Sequence, residues 1–165
     1  MKNYLKRFEK ISRKIKSKLP SDSQLEITTG IWLDSVVLKI QKNSWKNITG
    51  ISEKTESSIF FSIWLEEKGI KKNQIFYNIH AFKLRKLLGY KIESRDFAFS
   101  FRQRFKKFNQ SWPNVSENFG PLTLMQGWLT VDLNNFENDV LKLTDNFMKI
   151  IIVIDDLLEE RKTEH

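Results

Sequence analysis

The sequence predicts an α+β domain in which an antiparallel sheet of four to five strands carries amphipathic helices, in the order α-β-β-β-α-α-β-α. Three observations predict it. Apolar residues recur every three or four positions near both ends of the chain, the spacing of one helix face. They alternate with their neighbours across three internal runs, the spacing of strands. A content of 40% hydrophobic residues, with 13 Phe and 5 Trp, supplies enough apolar surface for one core in 165 residues. The whole chain, 1–165, is read as a single domain with a basic helix at 1–20 and a long helix at 134–160.

Tyr4, Phe8, Ile11 and Ile15 form the first helical stripe, and Pro20 ends it, so residues 3–18 read as an amphipathic helix. Alternation then takes over through Leu25, Ile27, Val36, Leu38 and Ile40, which predicts a strand at 31–41 with a short one before it. Residues 42–57, rich in Asn, Ser, Thr, Lys and Gly, read as a loop. Ile59, Phe61, Ile63 and Leu65 alternate with Phe60, Ser62, Trp64 and Glu66. Ile75, Tyr77, Ile79 and Ala81 alternate with Phe76, Asn78 and His80. These two runs predict a hairpin joined through Gly69, and aromatics in both phases predict that it lies centrally and is covered on more than one side.

Phe82 to Leu88 reads as a short helix closed by Gly89, and Ser94 as the cap of a helix striped by Phe97, Phe101, Phe105 and Phe108. Leu122 to Leu133 reads as the last strand. Phe136, Val140, Leu143, Phe147, Ile150, Ile154 and Leu157 then recur at alternating steps of four and three, a helical pattern that outweighs the β-branched run at 150–154. Asn134 and Glu137 resemble a capping box, and the helix is expected over 135–160. The long helix is expected on one sheet face, with the basic helices on the other face or at an edge.

The absence of Cys excludes disulfides, thiolate metal sites and cysteine nucleophiles, and fits a cytoplasmic protein. No apolar run has the length of a signal-peptide core or a membrane span. No GxGxxG or Walker pattern can be written, so no nucleotide cofactor is expected. His80 is the one internal histidine and His165 ends the sequence, so a His-based metal site or a Ser-His-Asp triad would rest on His80 alone; a structural role among aromatics is expected instead. Asp155 and Asp156, followed by Glu159 and Glu160, read as the acidic outer face of the last helix.

The net charge of +8 is unevenly placed: residues 1–20 carry eight basic and one acidic side chain, 61–110 twelve and four, 111–165 four and ten. The first and third segments would steer a polyanion, while the acidic last segment would pair with them or with a basic partner. Lys83, Arg85, Lys86 and Lys91 lead into a helix bearing Arg95, Arg102, Arg104, Lys106 and Lys107. These cations would meet the phosphates of DNA or RNA, with Trp112 or Phe108 as a stacking face. The same cations would equally serve as the solvated face of a helix whose Phe stripe is core. The first helix, with Lys2, Lys6, Arg7, Lys10 and Arg13 opposite its stripe, is expected to dock on the domain rather than act as a nucleic-acid arm or membrane helix.

Asp34, Glu66 and Lys68 stand in the order of an acidic residue followed by an acidic-x-Lys triplet. In this they resemble the PD-(D/E)xK nucleases, in which such residues bind Mg²⁺ and position the attacking water. The resemblance implies a metal-dependent nuclease. The departure is that Gly69 places Lys68 at a turn, where Glu and Lys are ordinary.

The leading expectation is a non-enzymatic module that binds nucleic acid through the 83–107 region, with no cofactor. A protein-interaction or structural subunit, including a homodimer through 136–158, is the alternative, and the Mg²⁺-dependent nuclease is the third.

Overall fold

The alternating runs form five strands, β1 (Leu25–Trp32), β2 (Ser35–Lys42), β3 (Ser58–Leu65), β4 (Gln74–Phe82) and β5 (Thr123–Thr130), in a computed structural model that describes residues 1–47 and 56–163. They hydrogen-bond in chain order, each pair antiparallel. The helices are α1 (Lys2–Lys18), α2 (Glu67–Lys72), α3 (Ser94–Phe105) and α4 (Glu137–Glu159). The α+β class and the antiparallel sheet stand as the sequence predicts. Among the described residues, no helix is long and apolar enough to cross a membrane.

Residues directly opposite each other in an antiparallel pair share a face, so the register sorts every strand side chain. One face carries the rows Leu38–Ile63–Tyr77–Gly127 and Ile40–Phe61–Ile79–Met125, all buried. The helices pack here. Phe147 of α4 stacks on Phe61 with ring centroids 4.4 Å apart, and Phe105 of α3 reaches Phe61 and Tyr77 through the buried Trp112. Phe8 of α1 meets Phe136, just before α4, edge-on at 5.7 Å. The stripe of α4 is therefore spent on the sheet and its neighbouring helices, with Val140, Leu143, Phe147, Ile150, Ile154 and Leu157 all buried.

All three long helices thus lie on one face, which corrects the expectation that the basic helices would take the opposite face or an edge. The physical reason is charge as well as packing. Arg7 of α1 holds Glu137 bidentately at 3.0 and 3.2 Å, and its guanidinium sits 4.0 Å from the Phe136 ring centroid. Arg104 of α3 holds Glu160 through two bonds of 2.6 Å, Arg161 reaches Asp96 at 2.9 Å, and Lys42 reaches Asp155 at 2.6 Å. The acidic α4 segment therefore pairs internally with the basic ones.

The short strand expected before residue 31 is β1, which runs on to Trp32, and the strand expected at 31–41 begins only at Ser35 as β2. They join at Leu33 and Asp34, whose φ values of 49° and 63° make the two-residue turn that matches sheet twist. Neither is the Asn-Gly or Asp-Gly that normally marks such a turn, so the break is hidden in the sequence. The β3–β4 connection holds α2 rather than a tight turn. In place of a helix, residues Leu84–Lys86 form one 3-10 turn. Neither Ser94 nor Asn134 is a side-chain cap: Glu93 and Phe136 occupy the N-cap positions, without side-chain cap bonds. Of the 42–57 loop, Asn43–Trp45 form a 3-10 turn with Trp45 buried, and Lys46 bridges to Ser58; residues 48–55, and likewise His165, lie outside the described residues.

Candidate ligand-binding face of the sheet

β3 lies at the centre of the sheet as expected, but the helices cover only one of its faces, so the reading of a hairpin enclosed on more than one side does not hold. The other face carries the second phase of every strand. Cross-strand pairing builds an aromatic row, Val37–Trp64–Phe76–Trp128, and beside it a polar row, Thr28–Lys39–Ser62–Asn78–Gln126. Phe60 pairs with His80 on the far side of the polar row, and Ser58 with Phe82 beyond that. Each aromatic zone lies two residues from the polar row, so the two zones are four residues apart along each strand, a separation of about 13 Å.

The aromatic side chains are pre-arranged as platforms. Trp64 and Phe76 stack with centroids 5.7 Å apart and planes 21° from parallel. Phe60 and His80 lie 5.1 Å apart, and His80 and Phe82 6.0 Å apart with planes 22° from parallel. Lys39 Nζ stands 4.2 Å from the Phe60 centroid. Trp32 folds back over Gly30, where a Cβ would come within 2.8 Å of its ring. Together with Val37, Lys39, Phe60, Ser62, Trp64, Asn78 and His80, this ring walls an open basin of about 400 Å³. Trp32 remains 49% exposed and Trp128 36%, so large apolar area is left uncovered by the described residues.

Electrostatics in the basin are those of partly desolvated cationic groups. Burial, with Lys39 nearby, lowers the His80 pKa, so the imidazole is neutral at pH 7. Burial and then Lys46 lower that of Lys39, against a smaller opposing pull from Glu26. The Ser62 hydroxyl donates to Asn78 Oδ1 at 2.5 Å and fixes that amide. Exposed cations stand at both ends of the β3–β4 pair: Lys68, Lys71 and Lys72 on α2, and Lys83, Arg85 and Lys86 just after β4.

The basic residues singled out in the sequence separate into two groups. Arg102 is a structural clamp: its Nε donates to Leu124 O, and one terminal nitrogen donates to the carbonyls of Phe119, Gly120 and Thr123, all at 2.9–3.1 Å. Arg104 is held by Glu160, which raises its pKa chiefly through the hydrogen bond. Arg95, Lys106 and Lys107 are exposed on or beside α3, with Lys107 over the Phe108 ring, while Lys83, Arg85 and Lys86 are exposed just after β4, with Lys83 Nζ 5.0 Å from the Phe82 ring centroid. Trp112, proposed as a stacking face, is 3% exposed in the core and presents none; its neighbours Phe61, Tyr77 and Phe105 enclose it.

His80 belongs to the open face rather than the core. Asp34 occupies the β1–β2 turn, while Glu66 precedes α2 and Lys68 lies within it, so the acidic-x-Lys triplet crosses a strand end instead of running along a strand. Among the described residues, no group of three His, Cys, Asp or Glu side chains is placed to hold a metal ion.

The sequence reading missed the aromatic face. The signal was present in Phe60, Trp64, Phe76, His80 and Phe82, which share one phase across adjacent strands, opposite the Ile-rich phase that three amphipathic helices suffice to cover. No family model, curated protein or solved structure matches this chain.

Proposed function

We propose that this protein is a non-enzymatic binding module that takes single-stranded nucleic acid on the uncovered face of its sheet. The observation that carries this reading is the pair of aromatic zones flanking a polar row. Unpaired bases stack on such side chains, each contributing about 1–3 kcal/mol, while base edges meet the polar groups between them. Charge supports it. The acidic segment is engaged on the helical side, whereas Lys39 and the exposed cations at both ends of β3–β4 stand where a phosphate backbone crossing the face would run. The interface is thereby moved from α3 to the sheet, with Lys83, Arg85 and Lys86 kept as its margin.

The test is fluorescence anisotropy of a labelled single-stranded dodecamer, as DNA and as RNA, at two salt concentrations. The intact protein is compared with Trp64→Ala and with Lys106→Glu/Lys107→Glu. Salt-sensitive binding weakened about tenfold or more by Trp64→Ala, and little by the α3 pair, supports the sheet face. Binding lost in the α3 pair and kept in Trp64→Ala returns the site to the helix. Charge reversal at Arg102 or Arg104 is a poor probe, since it would free the 119–124 loop or leave Glu160 unpaired.

A second reading, a protein-interaction subunit, is favoured by the β1–β2 tip, where Ile31 is 45%, Trp32 49% and Leu33 98% exposed. It is tested by the oligomeric state on sizing at two concentrations, with Leu33→Asn as the control.

A further inference from the structure

The centre of the polar row is one-sided in its hydrogen bonding. Ser62 is buried, and its hydroxyl proton is committed to Asn78 Oδ1 at 2.5 Å. That bond orients the Asn78 amide, so the group it leaves for a ligand is Nδ2, a double donor. Across Ser62 on β2 stands Lys39, whose ammonium is a donor alone. The pairing of Lys39 with Ser62 and of Ser62 with Asn78 puts these two residues on the two sides of one strand, with the Lys39 ammonium at the Phe60 edge of the row, 4.2 Å from that ring's centroid. A base stacked on either platform turns an edge toward this row.

Resting on the nucleic-acid reading above, we propose that the row selects bases that present a keto oxygen, uracil, thymine, guanine and, through O2, cytosine, over adenine, which has none. A carbonyl oxygen accepts from Asn78 Nδ2 and Lys39 Nζ. The exocyclic amine of adenine would instead set donor against donor where the keto oxygen would accept, leaving only a ring nitrogen for the two donors. Asparagine ordinarily reads adenine by donating with Nδ2 while accepting with Oδ1. The Ser62 hydroxyl takes one lone pair of Oδ1 and holds that oxygen turned toward β3, so the serine is the specificity-determining residue and acts by fixing its neighbour's orientation.

The experiment measures anisotropy of labelled single-stranded dodecamers, one of deoxyadenosine alone and one with every second deoxyadenosine replaced by deoxyinosine. The two purines differ in having a 6-amino or a 6-keto group. The deoxyinosine strand is expected to bind roughly tenfold tighter to the intact protein. Ser62→Ala frees Oδ1 and is expected to shrink that ratio to within about twofold, mainly by improving the deoxyadenosine strand, an effect that mere loss of stability does not produce. Equal affinities for the two strands, still weakened by Trp64→Ala, overturn the base preference and leave the platform standing. An unchanged ratio in Ser62→Ala also overturns it. Absence of salt-sensitive binding to either strand overturns the proposed function itself.

Discussion

Gly127 shows how single residues fix this sheet. A Cβ there would fall 2.3 Å from Tyr77 Oη and 2.9 Å from Pro113 O, while the Tyr77 hydroxyl donates to Pro113 O at 2.7 Å. The glycine is the hole into which the phenol fits, and burial raises the Tyr77 pKa well above its ordinary value. Gly127→Ala is expected to destabilise by at least about 2 kcal/mol, because backbone and ring must both move. Tyr77→Phe should cost about 1–2 kcal/mol by leaving the Pro113 carbonyl unpaired. Urea unfolding measures both. On the open face, Trp64→Ala removes a partly buried side chain and abolishes a platform. At this scale the core was legible, since Ile59, Phe61, Ile63 and Leu65 keep one phase. Phe60 and His80 were not, because an aromatic in the second phase reads equally as buried or as exposed for a ligand.

The elements that carry helical periodicity were the most legible. The α4 stripe over seven positions decides helix against strand despite Ile150-Ile151-Ile152-Val153-Ile154, because only a helix gathers those positions on one face. Turns were the least legible. Leu33 and Asp34 adopt left-handed backbone that costs an L-residue about 1–2 kcal/mol, in place of the usual Asn-Gly. Leu33→Asn with Asp34→Gly is therefore expected to stabilise the β1–β2 hairpin by about 1 kcal/mol, read as a rise in thermal midpoint. Loss of stability would show that the exposed Leu33 has a packing role.

The α1–α4 contact makes a pH prediction. The hydrogen bond from Arg7, chiefly, holds the Glu137 carboxyl below the ordinary carboxylate range. Because the folded pKa is the lower one, its stabilisation is complete above the unfolded pKa and is lost as the pH falls through the folded value. Since both partners meet solvent, the contribution is about 0.5–1 kcal/mol at neutral pH. Glu137→Gln should remove it at pH 7 and flatten the decline in stability below the ordinary carboxylate pKa, as followed by urea unfolding across pH 3–7. An unchanged acid limb would assign that decline to other carboxylates.

Over the whole molecule, the uneven charge seen in the sequence becomes a division between two faces. Arg7, Arg104, Arg161 and Lys42 tie the helical side together through acidic partners, and the open side keeps its aromatics and lysines in view of solvent. Charge runs along the sequence predicted a polyanion partner but not which face would meet it. Composition gives no account of which cations the fold spends on its own carboxylates and carbonyls, as it does with Arg102 and Arg104.

The five tryptophans report on this division directly, because Trp32, Trp64 and Trp128 lie on the open face whereas Trp45 and Trp112 are in the core. The decisive measurement is a two-dimensional ¹H–¹⁵N NMR titration of the intact chain with a single-stranded thymidine dodecamer. The expected result is movement of the Trp32, Trp64 and Trp128 indole signals, and of the Ser62 and Asn78 amides, with Trp45 and Trp112 still. Shifts confined to α3 and its flanking lysines, or no shifts at low salt, would contradict the account.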